Sequence, residues 1–270
     1  MKNMRLDWLA RSGYGARGIV FLLVAGLATF SSFGSGKADT KSALDVLLSQ
    51  WLGKVWLALI ALGLLGFVAW RLAQSLANAD GHDDSFKSYI IRAALFGSAV
   101  TYLGLSFYAF QNVLGVGLDR GGGEHSLAAW AMSQPFGPYI AGAIGVGFFL
   151  GGIVTALKGI TRSFERYLDL RQSQPLLMIC VYGLVSRGAV FAIIGILFCY
   201  AAIKVDPSQA GSMSDALTWI RKLPFGPLLY LVIAVGLAAF GIYNLVEARY
   251  RRVKVPSMAD LRVDLQKLHR

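Results

Sequence analysis

Charge is scarce in this chain, and the shortage has a pattern. Only 15% of the 270 residues are Asp, Glu, Lys or Arg, 56% are hydrophobic, and the mean hydropathy is +0.56. Soluble domains carry about a quarter charged residues, so the composition points to an integral membrane protein. Asp and Glu are missing altogether from six apolar runs: Gly18 to Gly36, Val55 to Trp70, Ala93 to Leu118, Phe136 to Leu157, Gly188 to Ile203 and Phe225 to Val246. Carriers driven by protons or sodium usually hold a carboxylate at membrane depth, which weighs against a coupled pump. The three histidines, His82, His125 and His269, lie outside those runs and leave no axial ligand for a buried haem. Cys180 and Cys199 are the only cysteines and stand in apolar sequence. They read as small buried hydrophobes, too few for a disulfide framework or a four-ligand zinc site. The Gly121-Gly122-Gly123-Glu124-His125 stretch lacks the lysine and following helix of a phosphate loop and reads as a flexible loop. An intramembrane enzyme needs a nucleophile, acid or metal ligand at depth. The chain supplies almost none, and the expectation is a non-enzymatic protein with no cofactor and no metal.

What is present is apolar length for six crossings. A hydrocarbon core of about 30 Å takes roughly 20 helical residues, and the shorter runs are completed by flanking Lys and Arg side chains that reach back to the interface. An even number of crossings puts both termini on one side. The segments on that side hold eighteen Lys and Arg and the opposite loops seven, which by the positive-inside rule places the termini in the cytoplasm. The net charge of +11 is thus a topology signal and no sign of nucleic-acid binding. Lys2 and Arg5 before an apolar run also resemble a signal peptide, a reading that an internal repeat weighs against.

Proline is equally sparse, and four of the seven prolines write one tetrapeptide twice: PFGP at 135 to 138 and at 224 to 227. Aligned on its glycine the chain repeats three times, with Gly53, Gly137 and Gly226 in register and Gly63, Gly147 and Gly236 ten residues on. Gly152 and Gly241 share a further position, and GYGARGIVF at 13 to 21 matches GLVSRGAVF at 183 to 191, pairing Arg17-Gly18 with Arg187-Gly188. The second copy keeps Gly97 but has Phe96 for the arginine. Because the first apolar run corresponds to an internal one, it is expected to be a retained helix, and a cleaved leader is disfavoured. Small residues recur seven apart on the first helix of each unit, as Gly18 and Ala25, Gly97 and Gly104, Gly188 and Gly195. Seven residues is close to two turns, so each pair shares a face that admits a close helix neighbour, and Gly147, Gly152, Gly236 and Gly241 serve the second helices alike. Between the two helices a short amphipathic segment is expected, capped by Ser42, Ser126 or Ser214 with Asp45 as a capping-box acid, and carrying Trp51, Trp130 or Trp219 at the outer interface. Pro135 and Pro224 end that segment, and Pro138 and Pro227 fit the first turn of the next helix. The tetrapeptide is read as a corner, and the first copy, with Trp51-Leu52-Gly53-Lys54 there, is expected to build its corner differently. The units are residues 8–78, 86–165 and 176–252, followed by a tail at 253–270. Each is a parallel helical hairpin, and a pseudo-threefold bundle is possible.

ARSGYGARGIVF near the start, PFGP before the even helices and FGIYNLVEARYRR at the end of the third copy resemble the bacterial membrane family called domain of unknown function 1206. The resemblance runs from Trp8 to Arg252. It implies tandem helix pairs in a bacterial inner membrane and carries no activity with it.

Arg17 and Arg187 are the leading functional candidates, since an arginine at helix centre costs about 2.5–3.5 kcal/mol on insertion scales. They either sit at the cytoplasmic interface against lipid phosphate or face the interior and bind an anion. Arg71, Asn244 and Thr155 share one repeat position, and Gln74, Glu247 and Lys158 another; these six either cap helix ends or line a vestibule. Arg249, Arg251 and Arg252 form a basic cluster suited to anionic lipid, ahead of a tail in which Met258, Leu261, Leu265 and Leu268 make one apolar stripe. The main reading is a structural, interaction, lipid-binding or ligand-binding protein, without a specified protein partner or oligomer. The alternative is a channel or uncoupled transporter for a small solute, with anions among the candidates.

Overall fold

A computed structural model of the chain describes residues 4–31, 40–49, 51–81, 85–116, 130–168, 173–206 and 213–250. The described part is helical throughout: α1 (Met4–Ser31), α2 (Thr40–Leu48), α3 (Gly53–Leu76), α4 (Phe86–Leu114), α5 (Gly137–Ile160), α6 (Gln174–Lys204), α7 (Met213–Arg221) and α8 (Gly226–Tyr250), with a 3₁₀ turn at Ser163–Tyr167. Six of these, α1, α3, α4, α5, α6 and α8, are long and apolar enough to cross a membrane, and helices alone satisfy every backbone donor and acceptor within a single segment there. The short α2 and α7 lie between the two long helices of the first and third units, and residues 130–133 are helical at the same place in the second.

The corners are one device used three times. Leu52, Phe136 and Phe225 adopt left-handed backbone with φ of 60°, 62° and 58°, and the glycine that follows each opens the next long helix. A Cβ on Gly53, Gly137 or Gly226 would run into the carbonyl of the residue five back, Leu48, Met132 or Arg221. The glycine lets the new helix start hard against the end of the old one, and the prolines are accessory. The expectation of a different first corner is therefore corrected: Leu52-Gly53 makes the same turn without proline. Ser42 and Ser214 also prove to lie inside α2 and α7, so they are not their caps, while Ser126 falls outside the described residues. Asp45 is used between helices, accepting a hydrogen bond from the Tyr108 hydroxyl of α4 at 2.8 Å.

Side by side the long helices run α4, α3, α1, α8, α6, α5. That is the order of a closed ring of three hairpins with one contact missing: α4 and α5, the two helices of the second unit, do not pack on each other. Burial follows the arc, from 56% of the α1 and α8 spans to 44% for α3 and α6 and 17% for α4 and α5. The glycine contacts that close the rest are close indeed. A Cβ on Gly18 would come to 2.9 Å from the Gly241 carbonyl oxygen, and one on Gly188 to 2.6 Å from that of Gly152. Gly195 sits on Gly145 and Phe149, and Gly236 on Ser186. Gly97, Gly104 and Gly147, however, face open space and are not packing glycines here.

The second unit's own residues account for the gap. Gly13 and Gly183 press on the backbone of Phe67 and Phe240 within their hairpins. The second unit has Arg92 and Gly151 at those two positions. Arg92 instead reaches the end of α3, its Nε donating to the Ser75 carbonyl at 2.6 Å and its Nη2 to that of Leu76 at 2.9 Å, while the Ser75 hydroxyl donates to the Arg92 carbonyl at 2.8 Å. A cation there also suits the negative end of the helix dipole. The face that meets the hairpin partner in α1 and α6 is thus turned onto the preceding unit in α4. Gly97 and Gly104 swing out with it, since at 100° per residue they lie roughly 150° around the helix from the buried Tyr102.

Candidate functional site

Arg17 of α1 and Arg187 of α6 occupy equivalent faces, each between a glycine that meets its own hairpin partner, Gly13 or Gly183, and one that meets the neighbouring unit, Gly18 or Gly188. That face points into the arc. Arg17 is 3% exposed. Its guanidinium carbon lies 5.8, 5.0, 5.2 and 5.1 Å from the ring centroids of Phe21, Phe67, Tyr102 and Phe240, and its Nε donates to the Tyr102 hydroxyl at 2.6 Å. Arg187 lies 4.3 Å from the Phe191 ring, 4.5 Å from Phe240 and 5.5 Å from Phe21. Arg71 of α3 stands 4.7 Å from Phe67 and 6.0 Å from Tyr14, and its Nη1 donates to Gln74 Oε1 at 3.0 Å. The rings brace one another edge to face: Phe21 on Phe240 at 4.8 Å and Phe67 on Tyr102 at 4.8 Å. A desolvated guanidinium over an aromatic face gains about 2 kcal/mol, and several such faces together hold three cations where bare hydrocarbon would not.

The rings do not neutralise the charge. The Nε atoms of Arg71 and Arg187 are buried without a hydrogen-bond partner, as is Oδ1 of Asn244. Among the described residues no carboxylate pairs with Arg17, Arg71 or Arg187. Glu247, although buried, is seven residues beyond Phe240, about 10 Å further along α8. Phe67 and Phe240 each stand fourteen residues past their corner glycines. The cluster is therefore about 21 Å along the helices from the corner end of the bundle, a distance that falls inside a core of about 30 Å begun at the corners. Cations without a carboxylate partner, braced by aromatic side chains, are an arrangement that can accept a negative group.

The two polar repeat positions sort by unit. Gln74 is buried and its Nε2 donates to Asp80 Oδ2 at 2.6 Å; Asn244 is buried and its Nδ2 donates to the Phe240 carbonyl at 2.6 Å. In the second unit Thr155 returns its hydroxyl to the Gly151 carbonyl at 2.7 Å, and Lys158 is half-buried at the edge of the arc. Arg249 is exposed, and its carbonyl accepts from Arg11 Nη1 at 2.8 Å. Arg251, Arg252, the tail and the three histidines lie outside the described residues. Cys180 and Cys199 are free, the first buried. No group of three metal-ligating side chains occurs among the described residues.

Sequence reasoning missed the aromatic half of the site. Phe21 and Phe191 stand four residues after the two arginines, and Phe67 and Phe240 share one repeat position, so both pairs carried a signal. Tyr102 had none, because the equivalent residues are Leu23 and Ile193.

Fold and site together define a polytopic α-helical membrane protein built from three tandem two-helix units, of which the first and third are packed hairpins, with arginines in its interior that pair with no described carboxylate. The profile of a Domain of Unknown Function (DUF1206) matches at residues 12–77, 93–162 and 182–251, and the chain belongs to that family. An uncharacterized protein of Bacillus subtilis (strain 168), YxxB, is 31% identical over 263 residues, covering 94% of this chain and 95% of the relative. No solved structure matches the chain.

Proposed function

We propose that the protein is a non-enzymatic receptor of the bacterial inner membrane that holds an anionic group in its interior at Arg17, Arg71 and Arg187. The observation that carries this is the pair of buried, unpartnered Nε atoms on Arg71 and Arg187. A buried donor without an acceptor costs about 1–3 kcal/mol, more when charged, and an anion removes that cost. The positive-inside balance of the loops supports cytoplasmic termini, and the basic sequence at Arg249, Arg251 and Arg252 suits anionic lipid at that face. The rings around Arg17 stand where a central path would run, which favours binding over conduction.

The test is thermal unfolding of the purified, detergent-solubilised protein with inorganic phosphate, glycerol phosphate or phosphatidylglycerol added. A ligand of the native state raises the unfolding temperature as its concentration passes Kd. At least one of these probes is expected to do so for the wild type and to lose most of its effect in Arg187→Gln and Arg71→Gln. Failure of all three, or equal responses from the variants, ends the proposal.

A further inference from the structure

Arg17 and Arg187 are equivalent in sequence but not in cover. The α1–α8 and α6–α5 interfaces are the same interface, since Gly18 meets Gly241 in one and Gly188 meets Gly152 in the other. Across the first, Arg17 receives the ring of Phe240. The residue of α5 that stands to Arg187 as Phe240 stands to Arg17 is Gly151. A Cβ there meets nothing within 4 Å, and neither does one on Gly147 a turn earlier. Arg187 has the ring of its own unit, Phe240, but none from the neighbouring helix α5, where Arg17 has one from both sides, and it is the more exposed of the two. The vacancy opens sideways. Gly147 lies on the α5 face whose counterparts meet the hairpin partner in the other units, Gly63 on Ala16 and Gly236 on Ser186, and here that partner, α4, is turned away. Phe148, beside Gly147, packs on Phe191 at 5.7 Å, and Phe191 packs on Arg187, so an apolar wall leads from the gap to the cation.

We propose that the α4–α5 gap is a lateral port, and that the ligand is an anionic membrane lipid whose phosphate or carboxylate head lies at Arg187 while its chain occupies the gap past Gly147 and Gly151. This rests on the anion reading of the arginines and adds the class of ligand and its route. Charge complementarity selects the occupant. A neutral chain would leave the Arg187 Nε unpaired, and a small soluble anion would leave the apolar gap empty. At about 21 Å from the corners, Gly151 lies at hydrocarbon depth, on the side of the membrane that holds the termini, so the lipid comes from that leaflet.

The decisive variant is Gly151→Phe, which restores the ring present in the other units and has room to do so. With the purified full-length chain in detergent, phosphatidylglycerol is expected to raise the unfolding temperature and phosphatidylcholine is not. Gly151→Phe and Arg187→Gln are each expected to weaken the phosphatidylglycerol effect at least tenfold in concentration. Gly97→Phe, which adds the same bulk on the outward face of α4, keeps it. If Gly151→Phe does not fold, Gly147→Leu is the substitute. Glycerol phosphate acting at the same concentrations as phosphatidylglycerol, or Gly151→Phe responding like wild type, overturns the port while leaving the anion site standing. Loss of every anion effect in the wild type removes both. Disulfide-linked dimers of Gly151→Cys formed in membranes would put a second copy in the gap and also overturn the port.

Discussion

At the scale of single residues, Arg17 and Arg187 show how far identity of sequence carries. Repetition next to apolar sequence marked both as unusual, but burial depends on what faces them, and those partners come from other helices. Tyr102 is the clearest case. Its hydroxyl is the one acceptor that Arg17 Nε has, and it is available only because α4 is turned. Tyr102→Phe keeps the ring and removes that bond. A hydrogen bond to a charged group is worth about 1.5–3 kcal/mol, so the unfolding temperature should fall by several degrees. Arg17→Lys should cost more, because a point-like ammonium cannot lie flat against several rings at once. Scanning calorimetry of the two variants checks the ranking.

At the scale of elements, the six long helices were legible from apolar runs, and the repeat register placed the starts of α3, α5 and α8 at the three glycines. The corner was read through its prolines, whereas the structural requirement is a glycine after a left-handed residue, a rule visible only in backbone angles. A non-glycine residue in the left-handed region costs roughly 1–2 kcal/mol. Leu52→Gly should therefore raise stability by up to about 1 kcal/mol, after allowing for the greater freedom of the unfolded chain. Gly53→Ala, Gly137→Ala and Gly226→Ala should each lower it, because the added methyl meets a backbone carbonyl with no side chain to move aside. Similar losses at all three would show that the corners are equivalent; a harmless Gly53→Ala would show that the first is not. The turned α4 was less legible. Arg92 and Gly151 are readable departures from the repeat, but their meaning lies in a pairing of residues on different helices.

At the scale of the whole molecule, three sequence units become two groups of three helices, α4-α3-α1 and α8-α6-α5, joined along α1 and α8. Disulfide trapping tests that arrangement in a chain lacking Cys180 and Cys199. The Cβ of a residue at 15 would lie 4.0 Å from that of Ala248, and one at 142 would lie 3.7 Å from that of Ala202, both within disulfide range. Gly15→Cys with Ala248→Cys, and Gly142→Cys with Ala202→Cys, should cross-link readily, while Phe96→Cys with Gly151→Cys should not. A fast Phe96–Gly151 bridge would mean a closed ring.

The placement of α1 against α8 also reorders what counts as the middle of the chain. The two helices furthest apart in sequence have the most buried spans and pack on each other, with Arg11 tied to the Arg249 carbonyl at the ends of both, while the chain midpoint joins two helices that do not pack together. Joined from the end of α8 to the start of α1 and opened between residues 116 and 130, a circularly permuted chain keeps every packed helix pair and separates none. The packing of the described helices is thus interrupted with least loss at the middle of the sequence.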